Sequence, residues 1–261
     1  AKNLGIKVKR HKFRSTKSAQ TFLDEQLLVN RPCGLQVGVY NLTYFPEEYK
    51  FHFNGHNLVV FGKQDQTYLI SDPVMQETTK LTENELEKVR FSKGVLAPKG
   101  HLYYPELIPE NIDFEKAIKK GIKKTCREML APVPIVGVRG IRMVAKRIKK
   151  MPKKIGNAKT NYFLAQMIRM QEEIGTGGGG FRYIYAAFLQ EASQKMNQPN
   201  LNDFALEISE IGDKWRDFAL NASRVYKKRN NSQDIYDVIS DQLLELADLE
   251  ESFFKRLRKA I

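Results

Sequence analysis

The chain changes character near Pro109, and that change limits what it can fold into. Before it, apolar residues come in short β-like runs, Leu35 to Tyr40, Leu58 to Gly62 and Thr67 to Ser71. Two helical signals lie among them, Thr16 to Asn30 and Thr82 to Arg90; Thr82 and Glu85 have the spacing of a capping box. Lys99 to Pro109, rich in Tyr and Pro, reads as an extended connection. After Pro109, apolar residues recur at helical spacing. Ile118, Ile122, Cys126, Met129 and Leu130 share one stripe, with Lys119, Lys120, Lys123 and Lys124 opposite. Ile141, Val144, Ala145 and Ile148 mark a second helix, which Pro152 is expected to break. Phe163, Met167, Met170 and Ile174 mark a third, with the methionines expected in the core. Phe181, Tyr185, Phe188 and Ala192 begin another. Phe204, Ile208, Ile211, Trp215, Phe218 and Ala222 line a long one, and Ile235, Val238, Ile239, Leu246, Leu249, Phe253 and Leu257 a terminal one. The expected fold class is therefore α+β: an α/β part over 1–108 and an all-α helical part over 109–261.

In the first part, Leu58 to Phe61 and Tyr68 to Ile70 flank a polar turn centred near Gln64, the pattern of a β-hairpin. Positions symmetric about Gln64 then face each other, which sets His56 opposite Asp72 with Cβ atoms about 4.5–5.5 Å apart. A carboxylate at that reach holds an imidazole tautomer and stabilises its protonated form, as a base serving a nucleophile requires. The plainer alternative is that Asp72, before Pro73, starts a turn by bonding the following backbone, and that His56 is a hydrogen-bonded surface residue. A single-residue bulge would be expected to put the two side chains on different faces.

The formal net charge is +13, and much of it falls between Lys116 and Lys159, where fifteen Lys and Arg face one acid, Glu128. Such a run is either a solvated helix face or a docking surface for an acidic partner. It has almost no interleaved aromatic residues for base stacking, so nucleic acid is not the expected partner, and an acidic protein or an anionic membrane surface fits at least as well. Hydrophobic content of 42% and charged content of 28% fit a soluble globular protein. No apolar run approaches the roughly 20 residues of a membrane span. The two cysteines, Cys33 and Cys126, form no disulfide framework and fit a reducing, cytoplasmic setting. No Cys/His cluster has metal-ligand spacing, and no cofactor is expected.

Gly175 to Gly180, followed by Phe181 and Arg182, is open to two readings. A glycine-rich loop at a helix start can bind phosphate through backbone N–H groups, and Gly177, Gly178 and Arg182 are the candidates for it. It can equally be a helix cap and tight helix–helix turn. No strand precedes it and no Lys-Ser or Lys-Thr follows, so it is neither a Walker loop nor a Rossmann turn.

Certain segments together resemble the family of the butirosin-biosynthesis protein H. In the first part they are Asn30-Arg31-Pro32, Gly55 to Gly62 and Ile70-Ser71-Asp72-Pro73. In the second they are Glu173 to Gly178, Phe181-Arg182, Tyr185 and Phe188-Leu189. The His and Asp-Pro hairpin is also similar to that of the bacteriocin-processing peptidases. The resemblance implies a papain-like N-terminal domain followed by a helical domain of unknown function. It further implies a Cys-His-Asp thiol site, with His56 as general base and Asp72 as its orienter. The nucleophilic Cys of such folds starts a helix well upstream of the His strands, in a segment this chain lacks. Cys33 is the local substitute, a half-buried strand residue by default.

The function so implied is a thiol-dependent acyltransferase of specialised metabolism, moving an acyl group from an acyl carrier protein to a small-molecule amine. The basic run from Lys116 to Lys159 would meet the acidic carrier. A cysteine peptidase or amidase using water, and a non-catalytic binding protein with a basic docking face, are the alternatives.

Overall fold

The computed structural model describes residues 1–173, 176–227 and 234–261, which divide into two compact units, Ala1–Ile112 and Asp113–Ile261. The first unit is α+β. Six strands form one antiparallel sheet: β1 (Lys7–His11), β2 (Cys33–Val37), β3 (His56–Gln64), β4 (Thr67–Ser71), β5 (Thr79–Thr82) and β6 (Leu102–Leu107). Their order across the sheet is β1-β6-β2-β3-β4-β5. Helices α1 (Thr16–Leu28) and α2 (Glu83–Arg90) contribute Leu23, Leu86 and Val89 to its core, with Leu35, Leu58, Val60, Tyr68, Ile70 and Leu102 from the strands.

Two local rules work as expected. The Thr82 hydroxyl accepts from the Glu85 amide while the Glu85 carboxylate accepts from the Thr82 amide, so the capping box starts α2. Alternation of buried and exposed residues along β3 and β4 puts one face in the core. The segment Lys99 to Pro109 departs from expectation, because it contains β6, which pairs with both β1 and β2. Its prolines conceal it: Pro105 lies toward the far end, beyond the β2 pairing of Leu102 and Tyr103. Gly34 is required where β2 meets β6, since a Cβ there would stand 2.3 Å from the Tyr103 ring. Arg90 is buried at the end of α2, donating to the Ala19 and Gly100 carbonyls at 3.1 and 3.3 Å. Burial pulls its guanidinium down to about 10.

The second unit is helical: α3 (Phe114–Met129), α4 (Gly137–Ile155), α5 (Asn157–Glu172), α6 (Arg182–Met196), α7 (Asn200–Tyr226) and α8 (Ile235–Ala260). Helix α7 packs against α5, α6 and α8, and α4 lies along α8. Ile208, Trp215, Phe218, Leu243, Leu246 and Phe253 form the core between them. Three expectations are corrected here. Pro152 does not break its helix: α4 continues to Ile155 and stops at Gly156, whose φ is 81°. A proline this near the C-terminus removes one hydrogen bond and leaves only a last turn beyond it. Met170 is 65% exposed and Val238 47% exposed, so neither is in the core. Ile174 and Gly175 lie outside the described residues.

Candidate functional site

The hairpin of β3 and β4 turns at Asp65, whose φ is 52°, and Gln66. The register runs Gln64↔Thr67, Lys63↔Tyr68 and Gly62↔Leu69, then shifts by one residue at Phe61 to Val60↔Ile70 and Val59↔Ser71. His56 and Asp72 are therefore not directly opposite, as symmetry about Gln64 had suggested. Continuing the shifted register puts Asp72 beside Leu58, with His56 one diagonal step away on the same face. The bulge also acts contrary to expectation. Without it Asp72 would stand beside Val59 and point to the other face from His56. The bulge is what brings the pair together.

The His56 Nε2 to Asp72 Oδ2 distance is 2.7 Å. Tyr44 Oη donates to the same Oδ2 at 2.7 Å, and the Val74 amide donates to Oδ1 at 2.9 Å. Asp72 thus fills both roles open to it: Oδ1 caps the Asp-Pro turn and Oδ2 holds the imidazole. Its side chain has no exposed surface, while that of His56 keeps 12%. The ring of Phe45 stands edge-on to that of His56, centroids 5.6 Å apart. Burial pushes the Asp72 carboxyl up, but hydrogen bonds from His56, Val74 and Tyr44 outweigh it and hold the group below its ordinary range. Burial, then the Asp72 hydrogen bond and charge, push the Tyr44 hydroxyl far upward, so it remains a donor. With the carboxylate as acceptor, Nε2 carries the proton and Nδ1 the lone pair. An imidazole so held can accept a proton at Nδ1 and be stabilised as the cation by Asp72.

Cys33 does not adjoin this pair. Cys33 pairs with Val60 and Val37 with His56, so Cys33 lies four residues, about 13 Å, further along β2. It is fully buried, its thiol donates to the Arg31 carbonyl at 3.6 Å, and burial pushes it up to about 11. Cys126 is buried within the second unit, its thiol likewise pushed up to about 11 by burial.

Tyr44, Phe45 and the Val74 amide were not legible as site groups. Tyr44 and Phe45 sit in an irregular segment between β2 and β3, without periodicity to mark a face.

Gly177, Gly178 and Arg182 belong to a separate cluster in the helical unit. From Gly177 to Phe181 every φ lies between 54° and 82°. Gly179 is needed for close approach as well, because a Cβ there would be 3.2 Å from the Gly212 carbonyl oxygen of α7. The Gly178 amide donates to Thr176 Oγ1, and the Gly179 amide to both carboxylate oxygens of Glu172, at 3.2 Å each. Arg182 Nη1 donates to the Gly180 carbonyl at 2.6 Å, and Nη2 is 2.5 Å from the buried Glu250 carboxylate. Trp215 Nε1 also donates to Glu250, at 2.7 Å, and the Arg182 guanidinium lies over its ring. These donors already hold protein acceptors. Among the described residues no group of three or more His, Cys, Asp and Glu could hold a metal ion, and no helix is long and apolar enough to cross a membrane.

Residues 1–73 match the family model of the butirosin biosynthesis protein H N-terminal region, and residues 84–257 match that of DUF4872, a domain of unknown function. No curated protein matches the chain. The second match spans most of the chain, and the two follow one another in the order expected for one family. The chain belongs to the butirosin-biosynthesis-protein-H-like family, with its DUF4872 region.

Proposed function

We propose that this chain carries the general base and orienting carboxylate of a thiol-dependent acyl transfer, moving an acyl group from a carrier-protein thioester to an amine. The observation that carries the reading is the 2.7 Å contact between His56 Nε2 and Asp72 Oδ2, which leaves Nδ1 as the proton acceptor. Family membership supports a biosynthetic enzyme. In this reading 1–108 is a papain-like domain, 109–261 the helical domain, and the protein works in the cytoplasm.

The chemistry follows in two halves. His56 takes the proton of a cysteine thiol, the thiolate attacks the thioester carbonyl, and the carrier thiol leaves with that proton. The amine then attacks the acyl-enzyme, His56 accepts its proton, the amide forms and the cysteine thiolate leaves to take up that proton. Cys33, buried and remote from His56, does not fit the nucleophile. A carrier phosphate at Gly177, Gly178 and Arg182 would compete with Thr176 for the Gly178 amide and with Glu250 for the Arg182 guanidinium.

The test assays acyl transfer from a thioester donor with this chain, with a version extended upstream to a cysteine at a helix start, and with that version carrying His56→Ala. The extended version should be active, its His56→Ala variant and the present chain at most weakly so. Full activity of the present chain, lost on Cys33→Ala, would make Cys33 the nucleophile. Hydrolysis in preference to aminolysis would make the enzyme an amidase or peptidase. The burial of Cys33 and its place four residues along β2 from the His56 pairing favour a second reading, a binding protein that uses its basic helices; no activity in any version would support it.

A further inference from the structure

Helix α4 has two flanks of unlike character. On one, Arg142 meets Asp248 at 2.5 Å and Glu251 at 2.6 Å, and Lys149 meets Asp237 at 3.3 Å. All three carboxylates belong to α8, an amphipathic helix whose apolar residues join Ala145 and Ile148 of α4 in the core. On the other flank Lys146, Lys150 and Lys154 have no carboxylate partner among the described residues.

That second flank borders two adjoining depressions of about 440 and 540 Å³ which share Arg147, Met151 and Ile155. The floor continues onto α5 through Ala158, Tyr162 and Phe163, and Lys159 adds a further cation to the rim. Ile155 is 44% exposed and Tyr162 63% exposed, so the apolar floor is open. Among the described residues, no carboxylate lines either depression. The α4–α5 groove thus repeats the chemistry that seats α8 on the opposite flank: an apolar strip edged by cations.

We propose that the α4–α5 groove is a docking site for an acidic amphipathic helix of a partner protein. Its apolar face would cover Met151, Ile155 and Tyr162 while its carboxylates meet Lys146, Lys150, Lys154 and Lys159. Charge complementarity selects the acidic partner, and α8 shows on this same helix how such a partner sits. A concave groove between two helices suits one inserted helix better than a flat bilayer. Its exposed ring is Tyr162, with Phe163 already under the Arg147 guanidinium, which is one stacking surface and not the row of rings that single-stranded nucleic acid uses. The groove lies wholly within the helical unit, and binding is read without any catalytic activity, so this proposal and acyl transfer can fail separately.

The test is titration of a fluorescent synthetic helix, leucine at every third and fourth position and glutamate elsewhere, with the full chain at physiological salt. Parallel titrations use phosphatidylglycerol-containing vesicles and a duplex RNA. The expected result is saturable peptide binding that weakens as ionic strength rises. Lys150→Glu with Lys154→Glu, and separately Ile155→Asp, should each weaken it about tenfold or more. Lys116→Glu with Lys120→Glu, an equal charge change on α3, should change it less than about threefold. Circular dichroism of each variant checks that the helices remain. Peptide binding insensitive to the groove substitutions, absence of peptide binding, or tighter binding of vesicles or RNA that depends on Lys150 and Lys154 would each overturn the proposal.

Discussion

Tyr44 donates to the Asp72 oxygen that also holds His56, so one carboxylate oxygen ties an irregular loop to the base of the hairpin. Removing that donor leaves a buried carboxylate with a lost hydrogen bond. Tyr44→Phe should therefore lower unfolding stability by about 1–3 kcal/mol. Urea denaturation checks the size. In an active extended version the same substitution should raise the apparent acid limb of the pH profile, because Asp72 becomes easier to protonate.

Asp72 links the fold to pH with a definite sign. Its folded-state carboxyl lies below its ordinary value, despite burial, because of the bonds from His56, Val74 and Tyr44. The unfolded chain thus binds the proton more readily, and the stability Asp72 contributes is present above the unfolded value, about pH 4, and lost as pH falls through the folded one. Unfolding free energies of the wild type and Asp72→Asn should converge as pH drops below about 4 and diverge above it. Parallel curves would show that Asp72 is not so held.

Cys33 offers a chemical check on its exclusion. A buried thiol pushed up to about 11 is protonated at neutral pH and shielded from reagents. Iodoacetamide should label Cys33 in the native chain at least about a hundredfold more slowly than in the urea-unfolded chain. Mass spectrometry of the peptide carrying Cys33 gives the rate. Rapid native labelling would reopen its candidacy as nucleophile.

In the helical unit, Glu250 is fully buried and receives Arg182 and Trp215. Glu250→Leu alone should destabilise the chain by about 3–5 kcal/mol, since it strands the guanidinium. The double variant Glu250→Leu with Arg182→Met should recover much of that loss, which thermal melting of the three proteins would reveal.

What was legible in the sequence was what rests on local rules. The capping box of α2, strand β4 and the helical stripes of α7 and α8 follow from neighbours three or four residues apart, or alternate ones. Pairing of distant segments was not legible. Strands β1, β5 and β6 have too few apolar residues or too many prolines to announce themselves, and only the sheet gives them partners. The closeness of His56 and Asp72 was expected from a register that proved to be wrong, and it survived because the true register keeps their parity. Tyr44 had no local signal at all: its role is fixed by a contact across 28 positions. The glycine loop looked receptive because its donors were visible in the sequence, whereas the acceptors that occupy them, Glu172 seven residues before Gly179 and Glu250 sixty-eight beyond Arg182, carry no local mark of that role.

The shift at Phe61 gives the two ends of one hairpin different counting rules. Near the turn, Lys63 must share a face with Tyr68, where it reaches Asp24 at 2.7 Å and Glu83 at 2.6 Å. At the base, His56 must share that face with Asp72. An unbroken ladder of this length satisfies one demand and inverts the other. Position 61 is thus the surplus residue that the bulge absorbs, and its side chain, 41% exposed, matters little. Exchanging Phe61 for another residue should leave the imidazole where it is. Deleting it would close the bulge into a regular ladder, with Gly62↔Leu69 next to Val60↔Ile70, and would leave His56 on the face of its carboxylate; inserting one further residue beside it, paired in the ladder, is what would turn the imidazole away.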